Sequence, residues 1–198
     1  MIFIGDIHGN FPCLNPDPAK SYLQVGDLGL GFPNHPYPNS FSDNFKFIRG
    51  NHDNPEVCRN HPNYLGEYGY KVEQDLFYLS GAFSVDFKSR TMGIDIWEDE
   101  ELAWGTLLKA TDLYKQVKPR ILVAHECPTL VKYELFKNHF KMGFRNRTAD
   151  ALQAMFESHQ PELMIFGHYH INKRQKFWNT DCVCLGIEQT LEIPDLKW

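Results

Sequence analysis

The sequence predicts an α/β domain, on two observations. Short β-branched and apolar runs recur along it, Ile2 to Ile4, Tyr22 to Val25, Phe45 to Ile48, Ile121 to Ala124 and Leu163 to Phe166, each read as a strand ending at a Gly-Asp, Gly-Asn, His or Gly-His. Between them lie two stretches with an apolar stripe and helix punctuation. One runs from Asp99 to about Val117, with Asp99, Glu100 and Glu101 as an acidic first turn and Pro119 as a stop; the other opens at Thr148 as N-cap and ends before Pro161.

Residues 68 to 90 read as a strand meander with a turn near Ser80-Gly81, and Phe177 to Ile187 as a closing hairpin around Asn179-Thr180-Asp181. Phe11 to Lys20 and Gly31 to Asn44 are rich in Pro, Asn and Ser and read as loops suited to substrate contact. The 198 residues, 42% hydrophobic, suit one compact domain, 1–198, whose core needs no disulfide. Five cysteines, an odd number, and the absence of a secretory leader predict a reducing cytoplasm. Met1 to Gly5 runs straight into Asp6, too short for a membrane span, so no membrane partner is expected. A net charge of -5 argues against a dedicated DNA-binding module, because long-range attraction to a nucleic acid needs the opposite sign.

Polar chemistry collects at the strand ends, where open α/β sheets present ligands. In Gly5-Asp6-Ile7-His8-Gly9 the alternate residues Asp6 and His8 can face one site. Asp27, in Gly26-Asp27, offers two oxygens able to bridge two cations. Asn51, in Gly50-Asn51-His52-Asp53, offers a neutral amide oxygen with a further histidine beside it. His125 closes its run, and Gly167-His168-Tyr169-His170 gives two more alternating imidazoles. Imidazole mixed with carboxylate suits Zn, Fe or Mn better than Mg or Ca. Taken singly, a Gly-Asp is most often a turn and a lone His a structural residue.

Together and in this order, the pieces resemble the calcineurin-like metallophosphoesterase family, whose pattern is GDxHG, GD, GNH[DE], a lone H and GHxH. Small phosphoesterases of phages and bacteria look especially similar. The resemblance covers Ile2 to His170, and Phe47 to Asn54 is its most specific segment. It implies a four-layer αββα sandwich of two mixed sheets with a dinuclear centre at one edge. Asp6, His8 and His170 would hold one divalent ion with Asp27; Asn51, His125 and His168 would hold the other, Asp27 bridging, with manganese expected first and iron or zinc as alternatives. The implied activity is hydrolysis of a phosphomonoester or phosphodiester by a metal-bridging hydroxide. His52 would assist the leaving group, Asp53 orient its ring and Arg49 brace a phosphoryl oxygen, as in relatives with an LRGNHE motif. The substrate would be a small phosphorylated molecule or nucleotide. A nuclease acting on single-stranded nucleic acid and a silent scaffold of the same fold are the alternatives, and for a phage-encoded chain the host cytoplasm is the expected location. Oligomeric state is not legible.

The chain departs from the pattern twice. Asp27-Leu28-Gly29-Leu30-Gly31 lacks the Asp-Arg pair of protein Ser/Thr phosphatases, and the link from Asp6 to Asp27 leaves little room for a helix. Arg145 and Arg147, before the Thr148 helix, are candidate substrate anions' partners. Lys173 and Arg174 are expected on a surface hairpin. Tyr169 is expected to point away from the metals, Cys182 and Cys184 to pack in a strand, and His35, His61, His139 and His159 to lie outside the site.

Overall fold

Alternation of apolar side chains along each strand sorts the core into three layers. The structure is a computed structural model describing residues 1–14, 16–33, 36–136 and 146–198. Its strands are β1 (Ile2–Ile4), β2 (Tyr22–Gln24), β3 (Phe45–Phe47), β4 (Tyr68–Lys71), β5 (Leu76–Leu79), β6 (Ile121–Ala124), β7 (Leu163–Phe166), β8 (Lys173–Phe177), β9 (Thr180–Cys184) and β10 (Thr190–Glu192). The helices are α1 (Pro55–Arg59), α2 (Trp104–Val117), α3 (Thr129–Phe136) and α4 (Arg147–Ser158). One mixed sheet has the order β10-β1-β2-β3 and the other β4-β5-β6-β7-β9-β8.

Phe3 and Leu23 of the smaller sheet meet Leu76, Tyr78, Ile121, Val123, Ile165 and Val183 of the larger one, so the sheets pack face to face. The alternate residues Phe77, Leu79, Leu122, Met164, Phe166, Cys182 and Cys184 point the other way, onto α2, α3 and α4. Central strands buried on both faces carry near-continuous apolar runs, which is why β6 and β7 were legible to the residue. Each fully buried Phe or Leu here contributes about 1.5 to 3 kcal/mol. Tyr22, Phe45 and Phe47 on the outer face of the smaller sheet are covered by Cys58 and Val57 of α1 and by loop residues Leu28, Leu30, Phe11 and Phe41. Two mixed sheets are thus present, with α2, α3 and α4 over the outer face of the larger and the short α1 over that of the smaller; among the described residues of the link after β1 the helical element is a single 3-10 turn, Phe11–Cys13.

Parallel pairing of β1 with β2 and β3, and of β5, β6, β7 and β9 in the other sheet, aims the carboxyl ends of β1, β2, β3, β6 and β7 toward one edge. Every motif read from the sequence leaves from one of those ends.

Several elements differ from expectation. Helix α2 starts at Trp104 rather than Asp99, because the carbonyls of the preceding segment are already taken: Glu100 O by Arg49 Nη1 (2.7 Å), Glu101 O by Arg147 Nη2 (3.0 Å) and Leu102 O by Arg147 Nε (2.8 Å). Helix α4 is capped by Asn146, whose Oδ1 accepts from Ala149 N at 2.6 Å, not by Thr148. The Thr148 backbone N–H and hydroxyl instead donate to Glu101 Oε1 at 2.8 and 2.9 Å. The 68–90 meander is a single hairpin, β4 with β5. Ser80 and Gly81 leave it by donating to Glu67 O and Arg49 O. The closing hairpin is β8 with β9, turning at Trp178-Asn179 rather than around Asn179-Thr180-Asp181; Trp178 adopts a left-handed φ of 51° and stacks on Phe156 at 5.6 Å. Lys173 and Arg174 lie on this hairpin, Arg174 paired to Asp181. Helices α1 and α3 and strand β10 were not anticipated, although Asn54-Pro55, cap then first-turn proline, is a start signal for α1.

Glu101→Ala strips both Thr148 donors of a buried acceptor. It should lower unfolding free energy by about 1 to 3 kcal/mol, read as a drop in the urea midpoint at unchanged m-value.

Candidate metal centre

Asp6 is fully buried at the end of β1, and both its oxygens accept from the His168 backbone N–H at 3.2 Å, tying the first motif to the last. His170 Nε2 lies 3.3 Å from Asp6 Oδ2, and His8 Nε2 lies 3.8 Å from the same oxygen, 4.0 Å from Asp27 Oδ2 and 2.9 Å from His170 Nε2. Asp6, His8, Asp27 and His170 therefore converge as one donor cluster, and Asp27, His125 and His168 as a second, Asp27 belonging to both. Asn51 stands between Gly50 and His52, whose backbones both approach Asp27. Its Nδ2 donates to Ser84 Oγ at 3.1 Å, leaving Oδ1 buried without a partner.

Close approach explains two glycines. Gly50 and Gly167 have ordinary backbone angles, but a Cβ on either would sit 2.2 Å from Asp27 Oδ1 or Asp6 Oδ1 respectively. The ligand loops are also bent in a way L-residues rarely adopt: His8, Asp27, His168 and His170 have φ of 45°, 58°, 72° and 55°. Such conformations persist where the surroundings over-determine them, and they gather at functional sites.

The donor atoms fit divalent cations on a direct criterion. Among the described residues the buried side-chain atoms without a hydrogen-bond partner are Asp27 Oδ2, Asn51 Oδ1, His125 Nε2 and Glu100 Oε1, and Asp27 and His125 both belong to the second cluster. An orphaned buried polar atom costs about 1 to 3 kcal/mol, and one cation gives several of them a partner together. Electrostatics agrees. Burial alone would raise the Asp27 carboxyl, yet His125, with His52 and His8, holds it well below the usual carboxylate range. Burial alone would lower His125, yet Asp27, 3.2 Å away, with Asp6 pushes it up to about 10. A site that draws protons this strongly also draws cations, which displace them. Carboxylate, imidazole and amide together suit Mn, Fe or Zn.

His52 lies outside both clusters. Its backbone N–H donates to Asp27 Oδ1 at 2.7 Å and its ring meets that of His8 edge-on at 4.8 Å. Burial, with the Arg90 and His8 charges, lowers the ring to about 4 against the pull of Asp27, so it is neutral at pH 7. A small pocket of about 100 Å³ opens over His8, Gly29, Phe32 and His52.

Three expected roles change. Asp53 does not orient His52: its carboxylate accepts from the backbone N–H groups of Leu28, Gly29, Leu30 and Gly50, at 3.2, 2.6, 3.1 and 2.8 Å, and so clamps two ligand loops together. Arg49 does not face a phosphoryl group: it is fully buried, with Nε and Nη2 on Glu67 Oε2 (3.1 and 3.0 Å) and Nη1 on Glu100 O. Arg147 is spent on the Glu101 and Leu102 carbonyls. Arg145, His35 and His139 lie outside the described residues. Tyr169 does turn from the donor atoms, its hydroxyl donating to Glu126 Oε1. His61 and His159 are bonded to the Pro38 and Pro119 carbonyls, away from the clusters.

Glu126 was missed, although it directly follows His125. It is fully buried, accepts from Cys127 N (2.8 Å) and Asn146 Nδ2 (2.9 Å), and stands 3.9 Å from His168 Nε2 and 3.8 Å from Lys132 Nζ. Burial would raise it, but His168 and Lys132 keep its carboxyl below the usual value. At that distance Glu126 acts on His168 through its charge, which favours the protonated ring and offsets part of the lowering that burial imposes.

No family model and no curated protein matches the sequence. Among solved structures, the phosphopantetheinyl hydrolase PptH from Mycobacterium tuberculosis is similar over 94% of this chain and 89% of that one, at a TM-score of 0.46 and 10% identity. Likeness that distant leaves function to the residues themselves. No described helix is long and apolar enough to cross a membrane.

Manganese added to chelator-treated protein at about 100 times its Kd should stabilise the fold by about 2.7 kcal/mol, a gain that Asp27→Ala abolishes; equal melting curves for both would contradict the centre. Glu126→Gln should weaken metal binding about 10- to 100-fold, measured by competition with a coloured chelator.

Proposed function

We propose that this protein is a dinuclear metal-dependent phosphoesterase of the calcineurin-like class, hydrolysing a phosphomonoester or phosphodiester in a small phosphorylated substrate. The observation that supports it best is the sharing of Asp27 by two donor clusters, with Asp27 Oδ2 and His125 Nε2 buried without hydrogen-bond partners. Asp6, His8 and His170 would hold one ion, Asn51, His125 and His168 the other, with Asp27 between them; manganese is the ion of choice, iron and zinc the alternatives. A pair of bound divalent cations supplies Lewis acidity toward phosphoryl oxygens and a nucleophile from water near neutral pH.

The chain's own groups do the remainder. Asp53 holds the Leu28 to Leu30 and Gly50 backbones in fixed relation, so the donors of both loops keep their spacing while substrate enters. His52 is the imidazole left over for proton transfer to the departing ester oxygen. An incoming phosphoryl anion favours the protonated ring, opposing the shift that burial imposes. The pocket over His8 and His52 admits the ester, and Phe32, with its ring 5.2 Å from that of His52, shields it on one side.

With manganese present, p-nitrophenyl phosphate or its bis ester should be hydrolysed, and the preferred one separates phosphatase from phosphodiesterase. Asp27→Ala should be inactive, and His52→Ala should lose about 100- to 10,000-fold in kcat while retaining the metal-dependent gain in Tm. Metal-loaded protein silent on both esters would defeat the proposal.

A further inference from the structure

Arg90 sits on the irregular segment after β5, in no motif, yet its guanidinium reaches the metal centre. Its Nη2 lies 2.5 Å from His52 Nε2 and 3.4 Å from Nδ1, against the edge of the ring. The side chain is 6% exposed and held from three directions. Nε donates to Asp86 Oδ2 at 2.9 Å, Nη1 donates to Ser84 Oγ and Asp95 O at 3.2 Å each, and the guanidinium carbon lies 5.9 Å from the centre of the Phe32 ring. The Ser84 hydroxyl that receives Nη1 also receives Asn51 Nδ2, so one oxygen fixes both the arginine and a metal donor.

We propose that Arg90 anchors the substrate's phosphoryl group on the His52 side of the metal centre, a role that presupposes the phosphoesterase activity proposed above. Two of its nitrogens are tied to oxygens, and the third, with two N–H groups, meets only an imidazole among the described residues. Its carboxylate partner, Asp86, sits on the far side, at Nε, and is half exposed, and the Glu100 carboxyl that Arg90 also influences is pushed up to about 7 by burial, so Nη2 faces the ring with no carboxylate hydrogen-bonded to it among the described residues. A phosphoryl oxygen entering beside His52 receives a charge-assisted hydrogen bond from a donor already immobilised, the arrangement in which arginine binds phosphate best. The other arginines considered for this task are unfit for it. Arg49 is sealed against Glu67 and Glu100, and Arg147 holds carbonyls at the start of α4.

Manganese-loaded wild type, Arg90→Ala and Arg90→Lys are compared for KM on the hydrolysed aryl phosphate, for inhibition by inorganic phosphate and for the metal-dependent rise in Tm. Arg90→Ala should raise both KM and the phosphate Ki about 10- to 100-fold, keep the metal-dependent rise, and recover affinity when guanidinium ion is added; Arg90→Lys should fall between. Unchanged KM and Ki, or a loss that guanidinium does not repair and that comes with a smaller metal-dependent rise, would overturn the role and make Arg90 a packing residue. Wild type that hydrolyses esters while Arg90→Ala matches it removes this role alone. Wild type inert toward every ester removes the phosphoesterase activity, and this role with it.

Discussion

Asp6 and Asp27 bring two carboxylates together in the interior, 0% and 1% exposed, among groups that are mostly imidazoles. Burying an isolated anion is costly enough that such groups persist only with charge compensation or a metal. The surrounding geometry follows from that need. His8, His125 and the pair His168 and His170 arrive from three loops, and each loop must deliver its rings to within a few ångströms of the same oxygens. Parallel strands with their carboxyl ends at one edge make this arrival possible. The left-handed backbone at His8, Asp27, His168 and His170, and the close approach at Gly50 and Gly167, are the local cost of bringing so many donors to one point.

The sequence made the strands and the donors legible for the same reason. A strand buried on both faces is a continuous apolar run, and the residue where polarity returns is the residue at the sheet edge. Ile121 to Ala124 followed by His125, and Leu163 to Phe166 followed by Gly167-His168, are read by inspection. Side-chain direction is not read that way. Arg49 and Asp53 were assigned to substrate and to His52 by resemblance to a motif, and Arg147 to substrate by its place at a helix start, whereas the structure turns all three onto backbone or onto Glu67. Adjacency places a Cα. Burial and the nearest unsatisfied partner decide where the rest of the side chain goes.

The elements missed are those whose stability comes from elsewhere in the fold. Strand β10 is three residues that pair antiparallel with β1 at the other end of the chain, a contact no local pattern announces. The acidic run at Asp99 to Glu101 has the composition of a helix start and the structure of a docking strip. There the propensity is overridden because Glu101 accepts from Thr148 in the first turn of α4, where negative charge is favourable, rather than opening α2. The rule about acids and helix N-termini holds, but the helix it serves is a different one.

That docking strip connects the misassigned arginines to the one that sequence reasoning passed over. The segment from Ser80 to Ala103 pairs with neither sheet, and it carries Ser84 and Arg90, which reach Asn51 and His52. Its position is held mainly by arginines rooted elsewhere. Arg49 accepts Gly81 N–H at its carbonyl and donates to Glu100 O; Arg59 pairs with Asp99; Arg147 donates to Glu101 O and Leu102 O. Carbonyls gripped by buried or half-buried guanidinium groups are hard to release, since letting go strands a charge in a low-dielectric setting. Arg49 and Arg147 therefore bear on the chemistry at one remove: they fix the backbone from which Arg90 meets His52, and a guanidinium fixed in that way loses little further freedom when an anion arrives.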